Sequence, residues 1–305
     1  MITLVLGGDV TLHGRATPSF GPLEPLLKGA DLRFVNLEGP VDAAAAEALK
    51  PIGVDVVSVA NDAPHPPASL AVLEHAGIAY CGAGANPDAA HTPAVIERSG
   101  EKVAFLAYTS LRRPFAAQPD FPVVAQAFAT TAYQPDPHVA EIPGRPPLVR
   151  TMPVPEHLDR LVADVQRAKS DHDHVVVSMH WGLPGAELAE YQVTYGRAAV
   201  DAGADLVAGH GSPTIQAVEV YRGRPILYGL GHLAADRPDG LLAGCMLGDE
   251  PRLELIPVRR NAANECEPLG GDEADKVLRY VAEVSTLRST TVTVQSGIAS
   301  VSVGA

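Results

Sequence analysis

The chain is poor in cysteine, in aromatic residues and in positive charge. Its three cysteines, Cys81, Cys245 and Cys266, are odd in number, far apart and form no C-x-x-C pair, so neither a disulfide framework nor a zinc knuckle is expected. Lysine and arginine number 23 against 36 acidic residues, a formal net charge of −13. That deficit argues against a nucleic-acid partner and against adsorption to anionic membranes, because nothing supplies the cationic face both need. No run approaches the roughly 20 apolar residues of a membrane span. The apolar start at residues 2–6 has no basic flank and is too short for a signal core. The expectation is therefore a cytoplasmic protein without a membrane anchor.

What is present is a chain of 305 residues with 46% hydrophobic content, enough to bury a substantial core. Short β-branched apolar runs at residues 2–6, 32–37, 54–59, 103–108, 175–180, 205–208 and 225–228 read as buried strands. Between them, residues 67–75, 155–168 and 186–201 read as helices, with Gly77 and Gly203 placed as C-terminal stops. Hairpins are expected where residues 94–98 meet 103–108 and where 216–221 meet 225–228. Alternation of this kind predicts an α/β protein with mixed sheets and outer helices. The Pro- and Ala-rich stretch at about residues 110–153 reads as a long loop over the site. A helix is expected at 272–287, followed by a tail that is either a strand or a frayed end.

Polar, metal-capable side chains gather just after the strands. Asp9 follows the first in Gly7-Gly8-Asp9, Asn36 and Glu38 end the second, and Asn61 and Asp62 end the third. His180 ends another in Ser178-Met179-His180-Trp181-Gly182, and His210 ends the next in Gly209-His210-Gly211. Ligands bind at the carboxyl ends of strands in layered α/β proteins, so five such ends form one candidate site. Mixed oxygen and imidazole donors suit one or two divalent transition metals, Mn, Fe or Zn. Blander roles exist for each: Asp9 as a cap, Asp62 as a turn residue beside Pro64, His180 as a core histidine beside the Trp181 indole. The basic pair Arg112-Arg113 reads either as an anion contact or as a solvated pair.

The order GDV, NLEGP, DVVSVAN, GIAYCGAG, PAVIERSGEKVAFLAYT, SMHWG, AGADLVAGHG and VEVYRGRPILYGLG, spanning residues 3–233, resembles the CapA-type poly-gamma-glutamate capsule biosynthesis proteins. That family resembles a branch of the calcineurin-like metallophosphoesterase superfamily. The resemblance implies a four-layer α/β/β/α sandwich over residues 1–258, with 259–305 as a C-terminal helix and tail on the same domain. It also implies a metal site of Asp9, Glu38, Asp62, His180 and His210. Departures are plain. Where the family reads A-N-N-H this chain has Ala60-Asn61-Asp62-Ala63, the second imidazole of G-H-x-P-H is replaced at Pro213, and L-G-N-F becomes Leu230-Gly231-His232-Leu233. Either the centre is rebuilt, with His13, His65 or His232 restoring imidazoles, or it has decayed to a metal-free ligand site. In the first case Asn61, His65 and His232 are the candidate catalytic residues, His65 taking over leaving-group protonation from the missing histidine. The substrate class is then a small molecule carrying a phosphate ester or a glutamyl-type amide.

Overall fold

The computed structural model describes residues 1–12, 18–62, 65–111, 122–234, 239–249 and 251–303. Two sheets lie face to face. The first has the strand order Val292–Gln295, Ile298–Val301, Arg252–Arg260, Asp239–Leu247, Ile2–Thr11, Leu32–Glu38, Val56–Ser58 and Ala79–Cys81, with His232–Ala234 and Cys266–Pro268 as short additions. The second runs Val218–Tyr221, Arg224–Leu227, Leu206–His210, His174–His180, Glu101–Thr109 and Ala94–Arg98.

Alternation along each strand builds three cores. Leu4, Leu6, Phe34 and Val56 of the first sheet meet Val103, Phe105, Val176 and Leu206 of the second in the central layer. Their neighbours Val35 and Val57 turn outward under the helices Ala43–Leu49 and Pro67–Ala76, through Leu49, Leu70 and Leu73. On the far side Ala104, Leu106, Val175 and Val177 meet Leu161, Val165, Tyr195 and Ala199 of the helices Pro155–Asp171 and Glu190–Ala202. Each buried aliphatic side chain contributes about 1.5–3 kcal/mol. The result is a four-layer α/β/β/α sandwich.

Several expectations change. No strand was expected between residues 229 and 259, yet Asp239–Leu247 pairs antiparallel with Ile2–Thr11 in the middle of the first sheet, and Arg252–Arg260 follows it. The stretch at 110–153 is not all loop: Ala129–Gln134 and Leu148–Pro153 form an antiparallel ribbon, whose Arg150 and Thr151 hold Glu190 at the start of the neighbouring helix. Described parts of that stretch thus cover a helix. The tail is a hairpin that joins the sheet edge at Leu253 to Leu255. The helix Gly271–Thr286 sends Ala274 against the first sheet's edge and Leu278 and Val281 into the central core. All three cysteines are buried and unpaired. Among the described residues no helix is long and apolar enough to cross a membrane.

Candidate functional site

The strands Ile2–Thr11 and Leu32–Glu38 run parallel in one sheet, and Glu101–Thr109, His174–His180 and Leu206–His210 run parallel in the other. Their carboxyl ends meet at one rim, where the Gly211 amide of the second sheet donates to Asp9 Oδ2 of the first at 3.0 Å.

Asp9 reaches that rim through a bulge. Leu4 and Leu6 face the central core, so plain alternation would turn Asp9 outward. Gly7 pairs with Val35 while Asp9 pairs with Asn36, so Gly8 is an extra residue that reverses the parity. Glycine is required there, because a Cβ would lie 2.1 Å from the Gly231 carbonyl oxygen. Gly231 in turn accepts from the Asp9 amide at 2.9 Å. Asn36 Nδ2 donates to Asp9 Oδ1 at 2.8 Å. Fully buried, Asp9 has its carboxyl pushed up to about 7, by loss of water first and by the Glu38 charge second.

Glu38 and His180 form the second part of the rim, with His180 Nε2 3.2 Å from Glu38 Oε1. Thr11 Oγ1 donates to Glu38 Oε2 at 3.2 Å, and Thr109 Oγ1 lies 3.4 Å from His180 Nδ1. Burial works against the charge on both partners, but their mutual contact outweighs it, holding the carboxyl below and the imidazole above their usual values. The charges of Asp9 and Asp62 also support the His180 imidazolium.

His210 is fully buried between Gly209 and Gly211. A Cβ at 209 would fall 2.1 Å from the Tyr228 carbonyl oxygen, and Gly211 has φ +87, so small neighbours let the backbone close around the ring. Burial, and then the nearby His180 charge, push the His210 imidazole down to about 3. Its Nδ1 lies 3.7 Å from Asp9 Oδ1, but a neutral ring makes this proximity rather than an ion pair. Neither ring nitrogen has a hydrogen-bond partner among the described residues.

Of the other expected residues, His232 places Nε2 3.9 Å from Asp9 Oδ2 with 12% of its side chain exposed. Asn61 Nδ2 and His65 Nε2 instead converge on one backbone oxygen, that of Leu37, at 2.7 and 2.8 Å. A carbonyl only accepts, so His65 carries its hydrogen on Nε2 and leaves a buried lone pair on Nδ1. His13, Ala63 and the pair Arg112-Arg113 lie outside the described residues. Asn36 is noted from the sequence at its strand end beside Glu38 but given no role, whereas Thr11, Thr109 and the Gly211 amide carry no sequence signal.

The profile of the bacterial capsule synthesis protein PGA_cap matches residues 3–237. The chain belongs to that family. A probable polyglutamine synthesis accessory protein of Mycobacterium tuberculosis is 33% identical over 174 residues, 55% of this chain and 40% of that protein. The capsule biosynthesis protein CapA of Bacillus anthracis is 26% identical over 248 residues, 72% of this chain and 54% of that protein. The chain thus spans about half the length of these PGA_cap relatives or less. Among solved structures, a hypothetical protein from Thermus thermophilus aligns with TM-score 0.46 and 17% identity, over 88% of this chain and 98% of that one.

The rim residues offer oxygen and imidazole donors of the kind that suit a divalent transition metal. Asn36 Oδ1, Asn61 Oδ1, His65 Nδ1 and both His210 nitrogens are buried polar atoms without a hydrogen-bond partner among the described residues. Such atoms cost free energy unless something pairs with them, and a cation held by oxygen and imidazole donors would do so.

Proposed function

We propose that this PGA_cap chain is a metal-dependent hydrolase or transferase acting on a phosphate ester or glutamyl-type amide in capsule or polyglutamate synthesis. The observation that carries the reading is the meeting of Asp9, Glu38, His180 and His210 from four strand ends, with unpartnered acceptors among and beside them. The capsule and polyglutamine synthesis roles named for the relatives support the pathway.

Asp9, His210, His180, Glu38 and Asp62 would hold one or two Mn, Fe or Zn ions. Bound there, such an ion supplies Lewis acidity and an activated water. Asn36 and the Gly211 amide fix the Asp9 carboxylate by holding one oxygen each. His210, neutral at physiological pH, offers a lone pair without first losing a proton. The expected acid role of His65 fits its hydrogen bond poorly, because the only N–H of the neutral ring is committed to the Leu37 carbonyl. Leaving-group protonation is therefore assigned to His232, next to Asp9 and partly open to solvent. His65 and Asn61 hold the backbone carbonyl of Leu37, the residue before Glu38.

One observation favours the other reading, a metal-free binding protein. Among the described residues, no three His, Cys, Asp or Glu side chains are already gathered as a ligand set. Elemental analysis of untagged protein purified without chelator separates the two. About one or two metals per chain, lost in Asp9→Asn and His210→Ala and accompanied by a lower Tm after chelation, is the expected result. Folded wild-type protein that takes up no Mn, Fe or Zn would overturn the hydrolase reading.

A further inference from the structure

Each of the two large sheets has an outer strand at either end, and among the described residues three of these four edges are guarded. Ala79–Cys81 is only three residues long, and Ala94–Arg98 ends in the charged pair Glu97 and Arg98. On Val218–Tyr221, the outward amides of Val218 and Val220 donate to the Ser285 and Thr290 hydroxyls at 2.9 Å each. Val292–Gln295 is different. Ile298–Val301 is its one partner among the described strands, and residues 289–305 hold no lysine, arginine, aspartate or glutamate.

The turn of this hairpin fixes which backbone groups are open. Ser296 and Gly297 have φ +51 and +79, a two-residue loop with both central residues left-handed, so the flanking pair Gln295 and Ile298 exchanges hydrogen bonds. Alternation makes Thr293 and Ser300 the next bonded pair. The amides and carbonyls of Val292 and Val294 therefore point away from the sheet, to the open edge. The Val292 and Val294 side chains pack against the central core, while Thr293 and Gln295 are exposed.

We infer that this edge pairs with the same edge of a second copy of the chain. A two-fold axis at Thr293 lays the two strands antiparallel and matches Val292 of each with Val294 of the other, so both open residues of each strand are used and no other is needed. An axis at Val292 would require Thr290, whose amide already donates to the Ser285 carbonyl, and an axis at Val294 would require Ser296 in the turn. Charge also favours a second copy: two chains of net charge −13 meet at a segment where neither presents a charged side chain. Each copy has one such edge, so the assembly closes at a dimer. The residues involved lie beyond residue 237, where the PGA_cap match ends, and the pairing is independent of a metal at Asp9.

Sedimentation equilibrium of the full chain should show a reversible monomer–dimer equilibrium, weak because one short strand buries little surface. Thr293 faces its own copy across the axis as a non-hydrogen-bonded pair, with Cα atoms about 4.5 Å apart and within reach of a disulfide. Thr293→Cys should therefore give a covalent dimer under mild oxidation, whereas Gln295→Cys, displaced from its copy by about 13 Å, should not. The three native cysteines are buried and do not compete. Thr293→Lys sets two like charges face to face and should weaken the dimer about fivefold or more. The residue is exposed, so its circular dichroism should match the wild type. A chain that stays monomeric up to its solubility limit, equal crosslinking of the two cysteine variants, undiminished dimerisation of Thr293→Lys, or assembly that grows past the dimer would overturn the assignment.

Discussion

Asp9 and Asn36 stand opposite each other on adjacent parallel strands, joined by a 2.8 Å hydrogen bond from the amide to the carboxylate. Both are fully buried. The pairing exists because one additional glycine in the first strand turns Asp9 to the face that Asn36 already occupies.

Gly8→Ala should therefore damage both fold and site. The added methyl meets a backbone oxygen that cannot step aside, so a loss of about 3 kcal/mol or more is expected in urea unfolding. Gly244→Ala, on the neighbouring strand, has no atom within 4 Å of its new Cβ and should stay within about 0.5 kcal/mol of wild type. Equal stability of the two variants would contradict the bulge.

Asp31 ties the start of the first strand to the second. Its Oδ2 accepts from the Thr3 amide at 2.8 Å and from Thr3 Oγ1 at 2.7 Å, and these bonds hold its carboxyl below the usual range. A depressed folded value means stability that is present above the unfolded pKa and lost as pH falls through the folded one. Asp31→Ala should cost about 1–2 kcal/mol at neutral pH. Denaturation below about pH 3 should show the gap to wild type closing. A gap that stays constant down to that pH would show the carboxylate to be idle.

Gln216 is the clamp of the segment that follows His180. Its buried Nε2 donates to the carbonyls of Leu183, Gly185 and Glu187 at 3.0–3.3 Å, and its Oε1 accepts from Gln192 at 3.1 Å. Gln216→Leu leaves those groups without a partner and should cost about 2–3 kcal/mol. The Gly185 amide, bound to Thr214 Oγ1 at 3.2 Å, should then exchange with solvent markedly faster. Unchanged exchange would mean the loop is held by other contacts.

The strands that carry the site were legible because parallel strands buried on both faces are near-continuous apolar runs, as at residues 32–37 and 175–180. Polar residues at their ends stood out against that background, which is how Asp9, Glu38, His180 and His210 were found. The strand Asp239–Leu247 was missed because Asp239, Gly240 and Gly244 break its apolar pattern, although it pairs with the first strand over six successive residues. The bulge at Gly8 was invisible for a different reason: parity is a property of pairing, and no residue type announces it. The tautomer of His65 likewise depends on a carbonyl 28 positions earlier in the chain.

The helix Gly271–Thr286 touches both sheets. Its Ser285 hydroxyl receives the Val218 amide of one sheet, while Ala274 backs Gly297 beside the hairpin that extends the other. It is a clasp across the open side of the sandwich, made from sequence beyond the family match. Neither sheet can slide or part from its partner at that edge without uncovering Leu278 and Val281. The segment beyond residue 237 should for this reason unfold together with the shared fold, so denaturant should meet them in a single transition.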